Sequence, residues 1–217
     1  METNLNCDLG EKSIHYDGKN DVALMKIINT ANIACGYHAG DNETMRNTIQ
    51  LAKENNVSVG AHPSFDDKNN FGRKRINLDK KEIKKLVIDQ INILDEIANK
   101  ENWKLTHVKP HGALNNMACE DYDLSITIGK AIKECNPELI YMILPLTEME
   151  NAAKKLNIKF DYYDPYVKIL KSRKLSSIYK SKKLSPKMLR RYNLTYILAD
   201  HDKINYKLIQ KYSSCIV

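Results

Sequence analysis

Short apolar runs alternate with amphipathic stretches along the first two thirds of the chain. The runs at residues 4–8, 31–35, 57–61, 105–109 and 139–144 have the length and composition of β-strands. Apolar residues at spacings of three and four predict helices over 41–56, 79–100, 121–135 and 147–156. Because parallel strands require a crossover connection, this alternation predicts a parallel sheet. Its repetition predicts a closed or nearly closed α/β barrel.

Composition limits the class of protein but not its chemistry. A chain of 217 residues is long enough for one large domain, which we expect to span residues 1–217. No apolar run approaches the roughly 20 residues of a membrane helix, and no signal-peptide pattern opens the chain, so we expect no membrane partner. The five cysteines are scattered, as is typical of free thiols in a reducing compartment. We therefore expect a cytoplasmic protein.

Positive charge is concentrated in the last third of the chain. Residues 150–217 contain 16 Lys and Arg against 5 Asp and Glu, whereas the whole chain has a formal net charge of +7. Such a region could attract nucleic acid by counterion release. No helix-turn-helix, RNP-like or zinc-finger pattern accompanies it. We interpret it as a solvated face and expect no nucleic-acid partner.

Four of the apolar runs end in polar, glycine-bearing motifs. They read Asp-Leu-Gly-Glu at 8–11, Gly-Tyr-His-Ala-Gly-Asp at 36–41, Gly-Ala-His-Pro-Ser-Phe at 60–65 and His-Val-Lys-Pro-His-Gly at 107–112. In parallel α/β folds the functional groups lie where the strands end and the following loops begin. We therefore expect the four motifs to meet at one rim and to form a site.

The side chains of these motifs are candidates for catalysis. Asp8 could act as a general base or a metal ligand, with an Asx turn or helix cap as the structural alternative. Asp41 could orient His38 as a base, but its position also suits a helix cap, which we favour. A lysine pointing into a barrel is costly unless it is paired or catalytic. The predicted catalytic residues are Asp8, His38, His62, Lys109 and His111.

Further residues of the same loops are candidates for substrate binding. Arg73 lies in the longest connection between a strand and a helix, where its guanidinium could clamp a carboxylate or phosphate. Glu11 follows a glycine in a loop and could equally be a solvated side chain. His107 shares a strand face with Lys109 and His111. We expect Glu11, Arg73 and His107 to contribute to binding.

The order and spacing of the motifs resemble a known family. The segments 4–11, 31–41, 60–65 and 107–114, with Phe-Gly-Arg at 71–73, resemble the LamB/YcsF family, that of 5-oxoprolinase A subunits (PxpA), over about residues 4–156. The resemblance implies a (β/α)7 TIM-like barrel of the glycoside hydrolase/deacetylase type, here with a divergent, shortened C-terminal third. Family members open the lactam of 5-oxo-L-proline to L-glutamate with ATP hydrolysis, together with PxpB and PxpC subunits.

The resemblance leaves the nucleotide and metal sites open. The chain has no Gly-x-x-x-x-Gly-Lys-[Ser/Thr] loop, so ATP could bind on PxpB-like or PxpC-like partners. Deacetylases of the related fold hold zinc with one Asp and two His residues. A set of Asp8, His38, His62 and His111 would offer comparable ligands for a divalent metal. No tight His-x-x-x-His helix pair supports that set, so our predicted site residues include no metal ligand.

The last third departs from the family pattern. Asn116 matches a family Asn, although Asn115 stands where the family has Tyr. Arg173 keeps a Leu-x-x-Arg motif, whereas Tyr-Asp-Pro-Tyr at 163–166 replaces an Ala-Asp-Arg-x-Tyr motif. The sequence ends where a family His-Gly-Asp motif would begin. We expect Asn116 and Arg173 to bind substrate, and three functions stay open: an active subunit, a degenerate homologue that binds without turnover, and a metal-dependent hydrolase or deacetylase.

Overall fold

A computed structural model of the chain describes residues 5–144, 146–156, 166, 169–171, 178–190 and 203–213. The chain divides into two compact units, one formed by residues 5–156 and the other by residues 1–4 and 157–217. The prediction of a single domain over residues 1–217 stays a prediction.

The first unit contains a five-stranded parallel sheet in which each strand pairs with the next along the chain. The strands are β1 (Asn6–Leu9), β2 (Thr30–Ala34), β3 (Ser58–His62), β4 (Leu105–Val108) and β5 (Ile140–Tyr141). The predicted strand–helix alternation and α/β class are confirmed. β1 begins two residues later than predicted, and β5 has only two residues where the apolar run over 139–144 predicted six.

Six α-helices connect or follow these strands in the first unit. They are α1 (Asp21–Met25), α2 (Asn42–Glu54), α3 (Lys80–Lys100), α4 (Gly112–Glu120), α5 (Tyr122–Cys135) and α6 (Glu148–Lys155). Asp41 caps α2 by accepting a hydrogen bond from the backbone N–H of Thr44 at 2.7 Å, as predicted. A reciprocal capping box between Asp79 and Glu82 begins α3. The short helices α1 and α4 did not emerge from the sequence pattern.

The core of the first unit lies between the sheet and the helices. Every residue of β2 is buried, because helices and neighbouring strands cover it on both faces. α3 turns Val87, Ile91 and Leu94 inward and packs against α5. Truncating one such side chain to alanine typically costs about 2–5 kcal/mol of stability. Within the described residues, no helix combines the length and apolar character needed to cross a membrane.

The second unit has a small structure of its own. β6 (Ile169–Lys171) pairs antiparallel with β7 (Ile178–Lys180), and two helices follow, α7 (Pro186–Leu189) and α8 (Tyr206–Tyr212). Leu189 and Ile209 form its buried apolar cluster. Two sequence expectations fall outside the described residues: Arg173 as a ligand, and a final strand over 213–217, of which only Ser213 is described.

Candidate functional site

Six of the predicted site residues meet at the carboxyl ends of the parallel strands. They are Asp8, Glu11, His38, His62, Lys109 and His111. Asp8 lies in β1, His62 is the last residue of β3, and Lys109 directly follows β4. Because neighbouring parallel strands end at the same edge of the sheet, motifs far apart in sequence reach one another there. The structure thus forms the rim cluster that the strand ends predicted.

One half of the cluster is partly open to solvent and charged. Nζ of Lys109 donates to Oδ1 of Asp8 at 2.7 Å, and the two side chains are 29% and 34% exposed. Nε2 of His62 lies 3.4 Å from Oδ2 of the same carboxylate. Burial raises the pKa of Asp8, but His62 and Lys109 outweigh this and hold that pKa well below its usual range. Asp8 therefore accepts hydrogen bonds as an anion.

The other half of the cluster is buried. Nε2 of His38 lies 3.1 Å from Oε1 of Glu11, and the His38 side chain is 0% exposed. The His38 ring stacks on His111 with centroids 3.9 Å apart and an interplanar angle of 7°. Gly72 closes over both rings, since a Cβ there would lie 2.9 Å from His38 Cβ and 3.0 Å from His111 Cδ2. This close approach requires glycine.

Burial favours neutral side chains in this half. It lowers the pKa of His38 to about 3, and the neighbouring charge of His62 acts in the same direction. It also lowers the pKa of His111 to about 4, helped by His38 and His62. The carboxyl of Glu11 has a raised pKa, mainly because it is removed from water. His38 and His111 are therefore uncharged near neutral pH.

Two main-chain carbonyls fix which ring nitrogens carry hydrogen. Nδ1 of His62 lies 2.5 Å from the main-chain oxygen of Lys109, and Nε2 of His111 lies 2.9 Å from that of Phe71. A carbonyl oxygen can only accept, so each of these nitrogens donates. The remaining nitrogens, Nε2 of His62 and Nδ1 of His111, face each other at 3.0 Å. Two neutral rings would oppose lone pairs there, so the contact calls for a proton or a cation.

The buried half also has the donors of a metal site. Glu11, His38 and His111 each offer one ligand atom, and these atoms lie within 4.8 Å of one another. Nδ1 of His38 is buried without a hydrogen-bond partner in the described part of the chain. A set of one carboxylate and two imidazoles suits zinc and similar divalent ions. It differs from the set drawn from the sequence, because Asp8 is turned towards Lys109.

The remaining predicted residues lie around the cluster or away from it. The guanidinium of Arg73 lies 5.4 Å from the ring centroid of Phe71, which packs edge-on against His38 and His111. Asn116 is exposed on α4. Among the described residues, no hydrogen bond or ion pair joins Arg73 or Asn116 to the six clustered side chains. His107 is 3% exposed and contacts Asn32 rather than the open rim.

Sequence reasoning missed two residues of the site. Asn32 is 0% exposed in the middle of β2, and its Nδ2 donates to Oδ1 of Asp8 at 2.8 Å. A polar side chain inside an otherwise apolar strand is the signal that could have revealed it. Phe71 contributes its main-chain oxygen from a left-handed backbone with φ of 55°. A main-chain contact of this kind leaves no residue-specific mark in the sequence.

Comparison with known proteins finds a family model and relatives that agree with one another. The model of the LamB/YcsF family matches residues 3–163. The 5-oxoprolinase A subunit of Clostridium beijerinckii is 47% identical over 158 residues, covering 73% of this chain and 62% of the relative. That of Natranaerobius thermophilus is 44% identical over 155 residues, covering 71% of this chain and 60% of the relative.

A solved structure agrees with these relatives. The lactam utilization protein from Thermus thermophilus superposes with a TM-score of 0.70 at 33% identity, covering 80% of this chain and 73% of that one. The expected TIM-barrel-like α/β fold is therefore confirmed, with five parallel strands in the described residues. The chain spans about 60% of the length of the curated relatives it matches. On the strength of its family match and these relatives, the chain belongs to the LamB/YcsF family.

Proposed function

We propose that this chain is the A-type subunit of an ATP-dependent 5-oxoprolinase, which hydrolyses 5-oxo-L-proline to L-glutamate. The names of its relatives support a role in lactam metabolism. The observation that carries the proposal is the rim cluster, in which a partly exposed ion pair between Asp8 and Lys109 adjoins buried imidazoles. Hydrolysis adds a hydroxyl to the lactam carbon and a proton to the nitrogen, so the site must handle both.

The two halves suit these two tasks. Asp8, held as an anion, can orient or deprotonate the attacking water. Lys109 can stabilise the oxygen that becomes negative as the carbonyl is attacked. His62 donates through Nδ1, and its Nε2 lies 3.0 Å from Nδ1 of His111, so a hydrogen between the two rings would satisfy both nitrogens. A hydrogen at this place can be delivered to the lactam nitrogen when the C–N bond breaks.

Substrate binding and ATP use extend beyond the cluster. The carboxylate of 5-oxoproline needs a cation, and Arg73, which stacks on Phe71 beside the buried half, is suited to bind it. The lactam is a stable amide, and hydrolysis of ATP to ADP and phosphate supplies the driving force for its opening. We place the ATP site outside the six-residue cluster, on PxpB-like and PxpC-like partner subunits or where they meet this chain. The assembly would work in the cytoplasm.

Reconstitution with both partner subunits tests the proposal. We expect glutamate and ADP to form from 5-oxoproline and ATP, and His62→Ala and Lys109→Ala each to reduce this activity by at least about 100-fold. Lys80→Ala is the matched control, because Lys80 forms an exposed ion pair with Asp123. Full activity in either rim variant would contradict the site assignment. Binding of 5-oxoproline without turnover would instead support the degenerate homologue.

A metal-dependent hydrolase is the second candidate, and the donor set of Glu11, His38 and His111 favours it. A divalent ion bound there would polarise a carbonyl or lower the pKa of water. Metal analysis of the purified protein tests this candidate directly. Close to one equivalent of zinc, lost in His38→Ala, would support it. A protein free of metal, whose activity is unchanged by chelators and by added zinc, would contradict it.

A further inference from the structure

Four residues at matching positions of neighbouring strands form a line across the sheet. The strand register pairs Asp8 of β1 with Asn32 of β2, Asn32 with Gly60 of β3, and Gly60 with His107 of β4. Asn32 is 0% and His107 3% exposed. The side chain of His107 on β4 thus extends across β3 to Asn32 on β2.

The glycine in this line makes that reach possible. A Cβ at Gly60 would lie 2.3 Å from Nε2 and Cδ2 of His107, well inside the closest approach of such atoms. Without that Cβ, the imidazole crosses β3, and its Nε2 lies 2.8 Å from Oδ1 of Asn32. A strand residue with any side chain would separate these two partners.

Hydrogen bonds lead along the line from His107 through Asn32 to Asp8. Nδ2 of Asn32 donates to Oδ1 of Asp8 at 2.8 Å and to Oδ1 of Asn6 at 2.9 Å. The amide oxygen of Asn32 is then the acceptor, so Nε2 of His107 donates to it. Burial, followed by the charges of His62 and Lys109, lowers the pKa of His107 to about 3, and the ring is neutral.

The other ring nitrogen completes the series. Nδ1 of the neutral His107 ring carries a lone pair and lies 2.8 Å from the hydroxyl of Thr106. The same hydroxyl donates to the main-chain oxygen of Val59 at 3.2 Å, so its one hydrogen is shared between that oxygen and the lone pair of Nδ1. Each group from Thr106 through His107 and Asn32 therefore donates to the next.

We propose that His107 is a positioning residue, which acts through Asn32 to hold the carboxylate of Asp8. Oδ1 of Asp8 receives Lys109 on one side and Asn32 on the other, so the carboxylate plane is fixed and Oδ2 is left towards His62. Without the donor at position 107, the buried amide oxygen of Asn32 loses its partner, and only the contacts of Nδ2 with Asn6 and Asp8 orient the amide, so we expect Asp8 to be held less firmly. This role rests on the proposed function only in that it takes Asp8 as catalytic.

Nuclear magnetic resonance of the full chain tests the proposal without any activity assay. Long-range ¹⁵N–¹H spectra near neutral pH should show His107 with hydrogen on Nε2 and none on Nδ1. The side-chain ¹³C resonance of Asp8, assigned by its loss in Asp8→Asn, should move in His107→Leu and in Gly60→Ala. It should stay in place in His107→Gln, because the Gln amide can donate from the position of Nε2. Gly60→Ala removes no polar atom and only blocks the path of the ring with a Cβ. It therefore tests whether the position of His107, and not merely its presence, is needed to hold Asp8.

Activity with the partner subunits supplies a second readout. His107→Leu should lose about 10–100-fold in kcat/KM, as is usual for partners of catalytic groups, and His107→Gln should recover most of it. Hydrogen on Nδ1 in the wild-type protein would overturn the proposal even if no variant folds. An Asp8 resonance that is unchanged in a folded His107→Leu would also overturn it. If wild-type activity is absent while the spectra agree, the proposed reaction fails and the positioning role stands.

Discussion

The two halves of the rim cluster place similar groups in opposite electrostatic surroundings. On the exposed side, His62 and Lys109, the latter at 2.7 Å, hold the pKa of Asp8 well below its usual range. On the buried side, Glu11 contacts the imidazoles of His38 and His111, and its pKa is raised mainly by loss of water. Two carboxyl groups within one site therefore differ in their tendency to hold a proton. Such a difference separates the tasks of acid and base in many active sites.

His62 belongs to both halves. Its Nε2 lies 3.4 Å from Asp8, 3.0 Å from His111 and 3.9 Å from Glu11. A proton on this nitrogen can therefore contact the charged pair and the neutral rings at once. The two halves therefore form one site, since the imidazole of His62 connects them.

Removal of the anion on the exposed side should have the largest effect. Asp8→Asn keeps the volume but leaves Lys109 without its counter-charge, and we expect kcat to fall about 10³-fold with the partner subunits present. Glu11→Gln should cost less, because burial raises the pKa of Glu11 whereas the pKa of Asp8 is lowered, so loss of the charge changes the surroundings of Glu11 less. Asp123→Asn on the surface is the control. Equal losses in the Asp8 and Glu11 variants would abolish the distinction between the halves.

Crowding of the buried side should have the next largest effect, which is a loss of folding stability. Gly72→Ala places a Cβ against His38 and His111 at a φ of 65°, so both crowding and backbone strain oppose it. We expect a loss of about 2–4 kcal/mol in urea unfolding. Gly18→Ala shares a positive φ of 77° but meets nothing within 4 Å, so it isolates the strain alone. Similar losses in both variants would show that Gly72 is not tightly packed against the rings.

The smallest effect that we expect is on the pH dependence of stability, and it comes from His107 in the buried line across the sheet. His107 has a pKa of about 3 when folded and about 6.5 when unfolded, so between these values the unfolded chain binds more protons. The free energy of unfolding should therefore fall as the pH falls below 6.5, by about 1.4 kcal/mol per pH unit at most from this group. Urea unfolding at pH 7 and pH 5 measures it, and His107→Gln should have a smaller difference between the two. An unchanged difference would exclude His107 as its source.

The sequence was sufficient to predict the elements whose chemistry is local. Alternating apolar runs predicted five strands and their parallel pairing, and Asp41 was recognised as a cap. Six residues of the strand-end motifs lie together as expected, because a parallel sheet brings its strand ends to one edge. β5 was overestimated, since apolar character alone does not decide how far a strand stays paired.

The rest of the site depends on contacts between distant elements. His107 was expected at the open rim, because strand alternation placed it on the face of Lys109 and His111. Its inward reach depends on a missing Cβ at Gly60, on another strand. Asn32 lies within an apolar run, where sequence patterns give no indication of its partner across the sheet. Register and side-chain reach are tertiary properties, so neither could be obtained from one segment at a time.

The carbonyl anchors of His62 and His111 determine what mutagenesis can detect. Lys109→Ala removes the ammonium group yet leaves the oxygen that holds His62, and any substitution of Phe71 leaves the oxygen that holds His111. Alanine variants of Lys109 and Phe71 would therefore leave both histidine hydrogen bonds intact, and an alanine scan would not detect these main-chain contacts. Replacing the peptide unit after Phe71, by an amide-to-ester exchange at Gly72, would weaken the acceptor of His111 while every side chain stays native, and it would also remove the hydrogen bond from the Gly72 N–H to the main-chain oxygen of Asp67. Semisynthesis, rather than codon changes, is the way to alter the tautomers of this site.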